Sequence, residues 1–401
     1  MTGVEDRRCN PVSMNELERR WRAVRERIPA AGLDALIVQG MNNFNGTGGY
    51  FRWLTGVSVA SSYPSTVIFP KDAPMTVVTH GAFGEDVTLD PASAATPGVG
   101  HRLGAPAFPA INYSAAYEAE LVAREIRKGG FRKIGLVAPN NMLAGFWANL
   151  LRELDGVEIS DVTDLIDPLK AVKSAEEISF IRKTGEMQDE IIQKVRAFLR
   201  PGLRDFEVMA YAQYQGQLMG SETGYFLGSS ASPGEPSSLR RRSEQNRMIR
   251  EGDVFMFQAE NTGPGGLFVH HGRMFSLGRP PQEIVDLFGQ LVEAQDYTIK
   301  LLQPGVSCAE IFAEYNTYMR GRGLPEEKRL HCHGQGYDVV ERPLIRNDET
   351  MKLAGNMNIG IHPSPGLANP KVFVTVCDNF LLHESGEVEW LHHTPREIIE
   401  I

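Results

Sequence analysis

Residues 330–344 read LHCHGQGYDVVERPL, and this stretch determines the fold expected for the second half of the chain. It contains the glycine-rich phrase His333-Gly334-Gln335-Gly336, which begins with a histidine. A helical pattern precedes it at 283–302, and strand-like apolar runs flank it at 253–260 and 356–362. Helices packed on one face of a largely antiparallel sheet define an α+β domain, which is the fold predicted here.

The first half of the chain alternates helical and strand-like patterns. A charged, alanine-rich helical pattern at 14–31 precedes the apolar run 35–38, and the alternation continues to about residue 154. Such alternation predicts an α/β domain. The stretch 161–172 contains Asp and Pro and is typical of a connection, so we expect one domain at 1–165 and a second at 166–401.

Composition excludes several classes of partner. The formal net charge is −9, whereas proteins that bind nucleic acids or anionic membranes usually do so through clusters of Lys and Arg. The four cysteines are scattered, which does not indicate a disulfide framework. The N-terminus has no apolar signal core, and no stretch reaches the roughly 18 apolar residues of a membrane span. We therefore expect a cytoplasmic protein that acts on a small molecule.

Short phrases along the chain occur in the order typical of one enzyme family. By residue range they are 32–38 (GLDALIV), 50–56 (YFRWLTG), 173–177 (KSAEE), 251–254 (EGDV), 303–306 (QPGV), 333–336 (HGQG), 341–343 (ERP), 361–363 (IHP) and 377–378 (CD). Through these phrases the protein resembles the creatinase/aminopeptidase P family.

The resemblance implies an α/β N-terminal domain of the creatinase type and an α+β C-terminal domain with the pita-bread fold. It also implies a homodimer, in which the N-terminal domain of one subunit closes over the active site of the other. Peptidase members of the family hold two divalent metals with two Asp, one His and two Glu. Hard carboxylate oxygens suit that task because they bridge such ions and help to generate a hydroxide nucleophile.

Four of the five ligand positions implied by the resemblance carry other residues in this chain. The two Asp positions are occupied by Gln258 and His270, and the two Glu positions by His362 and Cys377. Only the His position is kept, as His333. A dinuclear Mn or Co site of the peptidase type is therefore not expected.

The substituted set favours a different centre. Imidazole and thiolate ligands suit a single Zn or Fe(II) better than a carboxylate-bridged pair. If a metal is bound, the candidate ligands are His270, His333, His362, Cys377 and Glu260, which is on the same strand face as Gln258. A site without metal, in which histidines only transfer protons, is the alternative.

Catalytic roles are predicted for five residues. His333 or His270 would act as acid/base, and Glu260 or Glu235 would assist. Glu341 matches the Glu of the family's Glu-x-Pro phrase, and it is predicted to orient the pocket.

Two catalytic histidines of the family have no counterpart in this chain. One position is occupied by Val340 and the other, depending on the direction of counting, by Glu235 or Arg241. Arg241 lies with Arg240 on the irregular stretch 228–242, which we predict to be a mobile loop. There the arginines could receive an anionic substrate, because a guanidinium matches a carboxylate in a bidentate fashion.

Further candidates for substrate binding are Arg273, Trp53 and Tyr50. The resemblance implies that Tyr50 and Trp53 cap a pocket across the dimer, although a core position for Trp53 is an open alternative.

Other histidines are expected to have secondary positions. His271 and His331 should point away from the side chains of His270 and His333, because neighbouring residues of a strand face opposite sides. They would have supporting roles. The pair His392-His393 is expected at the surface.

The function predicted from these residues is a creatinase-like enzyme that is not a peptidase. It would be a hydrolase or lyase that cleaves a C–N or related bond in a small polar, carboxylate-bearing compound by His/Glu acid–base chemistry. The alternatives are a mononuclear His-rich Zn or Fe(II) enzyme, an Xaa-Pro aminopeptidase-like metallopeptidase, and an inactive pita-bread module that only binds.

Overall fold

A computed structural model describes residues 10–40, 42–43, 46–59, 63–235, 238–363 and 374–401. The chain divides into two compact units, Met1–Lys170 and Ala171–Ile401. Among the described helices, none is both long and apolar enough to cross a membrane.

The first unit is built on one mixed sheet with the strand order β6-β7-β5-β4-β1-β8-β9. Its strands are β1 Ala35–Gly40, β2 Asn42–Asn43, β3 Gly46–Thr47, β4 Ser65–Pro70, β5 Met75–His80, β6 Asp86–Thr88, β7 Val99–Ala105, β8 Lys133–Val137 and β9 Glu158–Asp161. The strands β2 and β3 form a separate small ribbon. The helices are α1 Met14–Ala30, α2 Gly49–Thr55, α3 Ala116–Lys128, α4 Ala144–Glu153 and α5 Thr163–Ala171, which ends at the division between the units.

Local signals explain the main elements of this unit. The side chain of Ser13 caps α1 by accepting a hydrogen bond from the backbone N–H of Glu16 at 3.2 Å. The strand β1 is buried along its whole length, which explains why it begins with the apolar run 35–38 and does not alternate with polar residues there. It pairs in parallel with β8 and antiparallel with β4. The unit therefore has the α/β fold expected from the sequence.

The second unit contains two antiparallel-rich sheets, with the strand orders β10-β11-β12-β18 and β14-β13-β15-β16-β17. Their strands are β10 Gly224–Ala231, β11 Val254–Thr262, β12 Phe268–Ser276, β13 Cys332–Gly334, β14 Glu341–Leu344, β15 Met357–Ile361, β16 Asp378–Leu382, β17 Val388–Trp390 and β18 Ile399–Glu400. The helices are α6 Ala175–Phe198, α7 Asp205–Leu218, α8 Gln282–Leu301 and α9 Cys308–Gly321.

Each sheet of the second unit has its own helical layer. Apolar residues of α6 and α7, including Ile191 and Val208, pack with Phe255 and Phe275 of the first sheet. Residues of α9, such as Ile311, pack on the second sheet. This repeated arrangement of helices on antiparallel strands is the α+β fold predicted for this half.

The two sheets meet where β12 passes the residue before β16. Gly272 and Cys377 form an isolated antiparallel bridge, in which the Gly272 N–H donates to the Cys377 carbonyl at 2.9 Å. A Cβ at residue 272 would stand 2.9 Å from the Cβ of Cys377, so only glycine allows the two backbones to approach this closely. The bridge brings β11 and β12 next to β13, β15 and β16.

One expectation about local structure was wrong. The first residues of the predicted loop 228–242, Gly228 to Ala231, instead continue β10 and pair with β11. The stretch 161–172, expected as a connection, does contain the division between the two units, and most of it forms α5, with Pro168 inside it.

Candidate active site

The strands β11 and β12 set the first part of the candidate site. Their register places Glu260 opposite His270 and Gln258 opposite Gly272. Residues that are directly opposite in an antiparallel pair share one face of the sheet, so Gln258, Glu260 and His270 lie together. The Gln258 amide donates a hydrogen bond to the Glu260 carboxylate.

The second sheet contributes the other two histidines. His333 lies on β13 opposite Gly360 of β15, and His362 follows directly after β15. The backbone N–H of His362 donates to the carbonyl of His331 at 2.8 Å, which continues the pairing beyond the end of the strand.

The three imidazoles of His270, His333 and His362 converge, and we call them the trihistidine cluster. Their ring centroids are separated by 5.2 Å (His270–His333), 5.3 Å (His270–His362) and 5.1 Å (His333–His362). His270 and His333 are buried, and His362 is half-buried. Residues from three separate strands or strand ends therefore surround one point.

Burial determines the charge state of this cluster. Desolvation lowers the pKa of His333 to about 4, and the charge of Arg329 adds to this shift. Desolvation also lowers the pKa values of His270 and His362 well below their usual range, and repulsion from neighbouring imidazolium groups adds to that effect. All three rings are consequently neutral near pH 7. Neutral imidazole is the form that binds a metal or accepts a proton.

Hydrogen bonds define which ring atoms are available. The Nδ1 of His333 lies 2.9 Å from the carbonyl oxygen of Gly334, so it carries the proton and leaves Nε2 with its lone pair. The Nε2 of His270 is buried and has no hydrogen-bond partner among the described residues. A Cβ at Gly360 would stand 2.0 Å from that nitrogen, so the glycine makes room for the ring.

The donor atoms are not yet aimed at one another. Among the described residues, one set of three side chains offers one ligand atom each within 4.8 Å of one another, and that set is Asp189, His271 and His392. The nitrogens of the trihistidine cluster are farther apart. Binding one ion there therefore requires rotation of at least one ring about its side-chain torsions.

Carboxyl and thiol groups adjoin the cluster. Burial raises the pKa of Glu260, which favours a protonated carboxyl. Burial also raises the pKa of the Cys377 thiol well above its usual range, and the charge of Glu260 adds to this shift. Cys377 thus lies within electrostatic range of Glu260, but its neutral thiol is favoured over the thiolate that binds metals.

Arg329 is a candidate that sequence analysis missed. Its exposed guanidinium lies close enough to lower the pKa values of His333, His362 and Glu260. It precedes β13 outside every phrase that carries the family resemblance. No local pattern marks it, because an exposed arginine is distinguished only by the groups that the fold places near it.

Tyr225 is a second residue that sequence analysis missed. It lies opposite Glu260 in the pairing of β10 with β11. Burial and the charge of Glu260 raise the pKa of Tyr225, whereas the charge of Arg241 lowers it. The exposed Arg241 is therefore electrostatically coupled to the face that bears Glu260.

Glu341 lies beside the turn that follows His333. Its carboxylate accepts a hydrogen bond from the N–H of Asp338 at 3.0 Å and forms a buried ion pair with Lys173 at 3.1 Å. A Cβ at Gly336 would stand 2.5 Å from a Glu341 oxygen. These contacts hold the glycine-rich turn, and the orienting role of Glu341 stays a prediction.

The other predicted residues lie elsewhere. Glu235 and Arg240 are exposed on the stretch after β10. Arg273 is fully buried, and its guanidinium donates to both carboxylate oxygens of Asp378, at 2.7 and 3.2 Å, and to nearby backbone carbonyls. The substrate-binding role predicted for Arg273 finds no support in this position.

Tyr50 and Trp53 both lie on α2 of the first unit. The Tyr50 hydroxyl donates to Asp167, and Lys170 lies over the tyrosine ring at 4.7 Å. Trp53 is 1% exposed and packs beside Arg20, which is the core position left open for it.

The histidines predicted to have secondary positions pack against other aromatic rings. His331 stacks on Tyr315 with ring centroids 3.5 Å apart. His271 stacks on His392 at 3.9 Å. The expectation that His392 is at the surface was wrong, since the side chain is 1% exposed, whereas His393 is exposed.

The second unit combines two antiparallel-rich sheets with three imidazoles that converge from their strands. The sequence profile of metallopeptidase family M24 matches residues 179–384, and the chain belongs to that family. This confirms the family resemblance, because the creatinase, prolidase and aminopeptidase P proteins share this fold.

Individual relatives agree with this assignment. The chain is 25% identical over 400 residues to an uncharacterized hydrolase/peptidase of Sinorhizobium fredii, covering 96% of this chain and 97% of the relative. It is 25% identical over 276 residues to an Xaa-Pro dipeptidase of Pyrococcus horikoshii, covering 67% and 76%. These names fit the peptidase alternative better than the creatinase-like, non-peptidase interpretation.

Solved structures share the fold of the whole chain. An X-Pro aminopeptidase from Thermotoga maritima matches with a TM-score of 0.77 and 17% identity, covering 95% of this chain and 99% of that chain. A prolidase from Pyrococcus horikoshii matches with a TM-score of 0.75 and 18% identity, covering 95% and 100%. The predicted pair of an α/β N-terminal domain and a pita-bread C-terminal domain is thereby confirmed.

Proposed function

We propose that this protein is a metal-dependent hydrolase that cleaves an amide C–N bond in a small, peptide-like substrate bearing a carboxylate. The proposed centre is the trihistidine cluster, with Glu260 as its acid/base. The observation that carries the proposal is the convergence of three imidazoles with ring centroids 5.1–5.3 Å apart at the ligand positions implied by the family resemblance.

The donor set fits one transition-metal ion. His270, His333 and His362 would hold it, because all three are neutral and two of them have an available Nε2. Three histidines leave an open position on a tetrahedral ion for water or substrate. Such an ion supplies Lewis acidity to the scissile carbonyl and to the attacking water.

The chain's own groups would move the protons. Hydrolysis requires one proton to leave the attacking water and one to reach the departing nitrogen. The Glu260 carboxyl can carry out both transfers, because burial brings its pKa closer to neutral pH than that of an exposed Glu. Gln258 orients it through the amide hydrogen bond to its carboxylate.

The positive charges around the cluster favour an anionic substrate. The charge of Arg329 lowers the pKa values of His333 and His362. The charge of Arg241 lowers the pKa of Tyr225, which lies opposite Glu260. A guanidinium pairs with a carboxylate through two parallel hydrogen bonds. We propose Arg329 as the residue that receives the substrate carboxylate, with Arg241 in support.

A second candidate is Xaa-Pro dipeptidase activity in the narrow sense. It is favoured by the name of the Pyrococcus horikoshii relative, which matches two thirds of this chain. It is a specific case of the proposed reaction, because a dipeptide ending in proline is a small amide with a free carboxylate.

The test is a hydrolysis screen with separately added Zn²⁺, Fe²⁺ and Mn²⁺. The substrates are Xaa-Pro dipeptides, other dipeptides and N-acyl amino acids, and amine release is measured. We expect the wild type to hydrolyse at least one class and His333→Gln to lose 10²-fold or more of kcat/KM, on the order of a lost catalytic group. His383→Gln, which removes a histidine paired with Glu389 at the other end of β16, should retain the activity.

Two results would overturn the proposal. One is hydrolysis of none of these amides with any of the three metals. The other is hydrolysis that His333→Gln leaves unchanged.

A further inference from the structure

A second group of metal-ligating side chains lies on the other side of β12 from the trihistidine cluster. It consists of Asp189 on α6, His271 on β12 and His392 in the C-terminal segment, and we call it the Asp-His-His group. One potential ligand atom from each residue lies within 4.8 Å of the other two. No phrase of the family resemblance includes Asp189 or His392.

His392 is prepared to donate a lone pair. Its Nε2 lies 3.2 Å from the carbonyl oxygen of His270, so Nε2 carries the proton. Its Nδ1 is buried and has no hydrogen-bond partner among the described residues. Histidines that bind metals typically donate their other N–H to a backbone carbonyl or carboxylate, which fixes the tautomer.

His271 is also a completely buried histidine, and neither of its ring nitrogens has a hydrogen-bond partner among the described residues. Its Nδ1 is 3.6 Å from an Asp189 oxygen, and its Nε2 is 3.7 Å from an oxygen of Asp378. One nitrogen thus faces the group and the other faces a carboxylate, which is the arrangement of a ligand with its outer partner.

Asp189 is held in place by the segment that contains His392. Its carboxylate accepts hydrogen bonds from the N–H of His393 at 2.7 Å, the N–H of Thr394 at 2.8 Å and the Thr394 hydroxyl at 2.6 Å. These bonds leave its remaining lone pairs available, since an ionised carboxylate offers about four acceptor sites.

An empty group of this kind would be costly. Without an ion, the buried Nδ1 of His392 has no hydrogen-bond partner among the described residues, nor has the Nδ1 of His271. A buried polar atom without a partner loses the hydrogen bond that it makes to water in the unfolded chain, which destabilises the fold. The rings of His271 and His392 are stacked at 3.9 Å, so one ring must rotate before both lone pairs can meet a single ion. Two imidazoles and one carboxylate are then a ligand set typical of Zn²⁺ and Fe²⁺ sites.

We infer that Asp189, His271 and His392 bind a divalent transition-metal ion that ties the C-terminal segment to α6 and β12. The site is separate from the proposed catalytic centre, and the inference does not rest on the proposed function. Its role is structural, because binding energy from a site formed only in the folded chain stabilises that fold.

The test measures Zn²⁺ binding to chelator-treated, full-length protein by equilibrium dialysis and elemental analysis. The starting variant is His333→Gln/His362→Gln, which removes the trihistidine cluster. We expect it to bind one Zn²⁺ and to gain thermal stability when Zn²⁺ is added. Adding Asp189→Asn, which has nearly the same shape, should weaken binding at least tenfold and abolish the stabilisation, and adding His392→Gln should do the same.

Circular dichroism of the metal-free forms verifies that each variant is folded. If the variant with His392→Gln is not folded, the Zn²⁺ affinity of the variant with Asp189→Asn alone tests the inference. Absence of Zn²⁺ binding to the starting variant would overturn the inference. So would Zn²⁺ binding of equal affinity with and without Asp189→Asn.

Discussion

His270 and His271 are consecutive residues of β12, yet each belongs to a different histidine cluster. The ring of His270 meets His333 and His362 at 5.2 and 5.3 Å, whereas the ring of His271 stacks on His392 at 3.9 Å. Alternation along a strand sends neighbouring side chains to opposite faces. A single strand therefore contributes to the candidate active site and to the proposed structural site.

The first prediction concerns the glycine that makes room for His270. In Gly360→Ala, the added Cβ would stand 2.0 Å from the His270 Nε2, so the ring must move. Misplacement of a catalytic group by about 1 Å can cost about 10²-fold, and we expect a loss of that order in kcat/KM. The measurement is steady-state hydrolysis of the substrate identified in the screen.

A matched control for this change lies on α8. Gly289 has no atom within 4 Å of an added Cβ, so Gly289→Ala should keep full activity and raise the free energy of unfolding by about 1 kcal/mol. Equal kcat/KM values for Gly360→Ala and the wild type would show that the position of His270 does not matter for catalysis.

The second prediction concerns proton transfer by Glu260. Glu260→Gln keeps the size of the side chain and a hydrogen-bond partner for Gln258, but it cannot exchange a proton. We expect kcat to fall by about 10²–10⁴-fold while the metal content remains unchanged. The control is Glu190→Gln, which removes a carboxylate from an exposed pair with Lys194 on α6. A normal kcat in Glu260→Gln would assign the proton transfers to another group.

The third prediction concerns the ion pair of Arg273 with Asp378, in which both side chains are fully buried. Asp378→Asn leaves an uncompensated buried guanidinium, which should lower the free energy of unfolding by about 3–5 kcal/mol. The measurement is urea denaturation followed by tryptophan fluorescence, since Trp390 donates to Asp378 at 3.2 Å.

The more exposed pair of Arg182 with Glu389 provides the comparison. Glu389→Gln should change stability by no more than about 1 kcal/mol, because solvent screens such pairs. If the two variants lose equal stability, burial does not make the pair of Arg273 with Asp378 more important for folding than an exposed pair.

The fourth prediction concerns pH and the first unit. Burial raises the pKa of Glu118 from 4.5 to about 7, although its carboxylate accepts a hydrogen bond from Thr66 at 2.6 Å. The folded state therefore binds this proton more tightly than the unfolded state. The free energy of unfolding should fall, by on the order of 3 kcal/mol, as pH rises from about 4.5 to about 7.

In Glu118→Gln this contribution is absent, so the variant should become progressively more stable than the wild type across that pH range. Glu120→Gln, which changes an exposed carboxylate of the same helix, should follow the wild type. Identical pH dependence of unfolding for Glu118→Gln and the wild type would contradict the expected proton uptake.

Much of the fold could be predicted because local patterns decide it. The apolar run at Lys133–Val137 forms β8, and α6 ends at Phe198, just before the helix-ending signal Pro201-Gly202. Local patterns failed where pairing with a distant strand decides, as at residues 228–231, which extend β10 beside β11 although the sequence predicts a loop.

The candidate site was predictable only in part. The ligand positions implied by the family resemblance identified His270, His333 and His362 before their convergence was visible. No local pattern connects Asp189 on a helix with His392 near the C-terminus, because they meet only through packing of α6 against the end of the chain. Arg329 escaped notice for a similar reason, since an exposed arginine acquires significance only through its neighbours.

The most direct test of the proposed centre is an anomalous difference map from crystals of the active protein loaded with Zn²⁺. We predict a peak enclosed by the imidazoles of His270, His333 and His362, and its absence in crystals of His333→Gln/His362→Gln. A protein that hydrolyses its substrate with no anomalous peak at the trihistidine cluster would contradict the account, and it would favour the metal-free alternative, in which histidines only transfer protons.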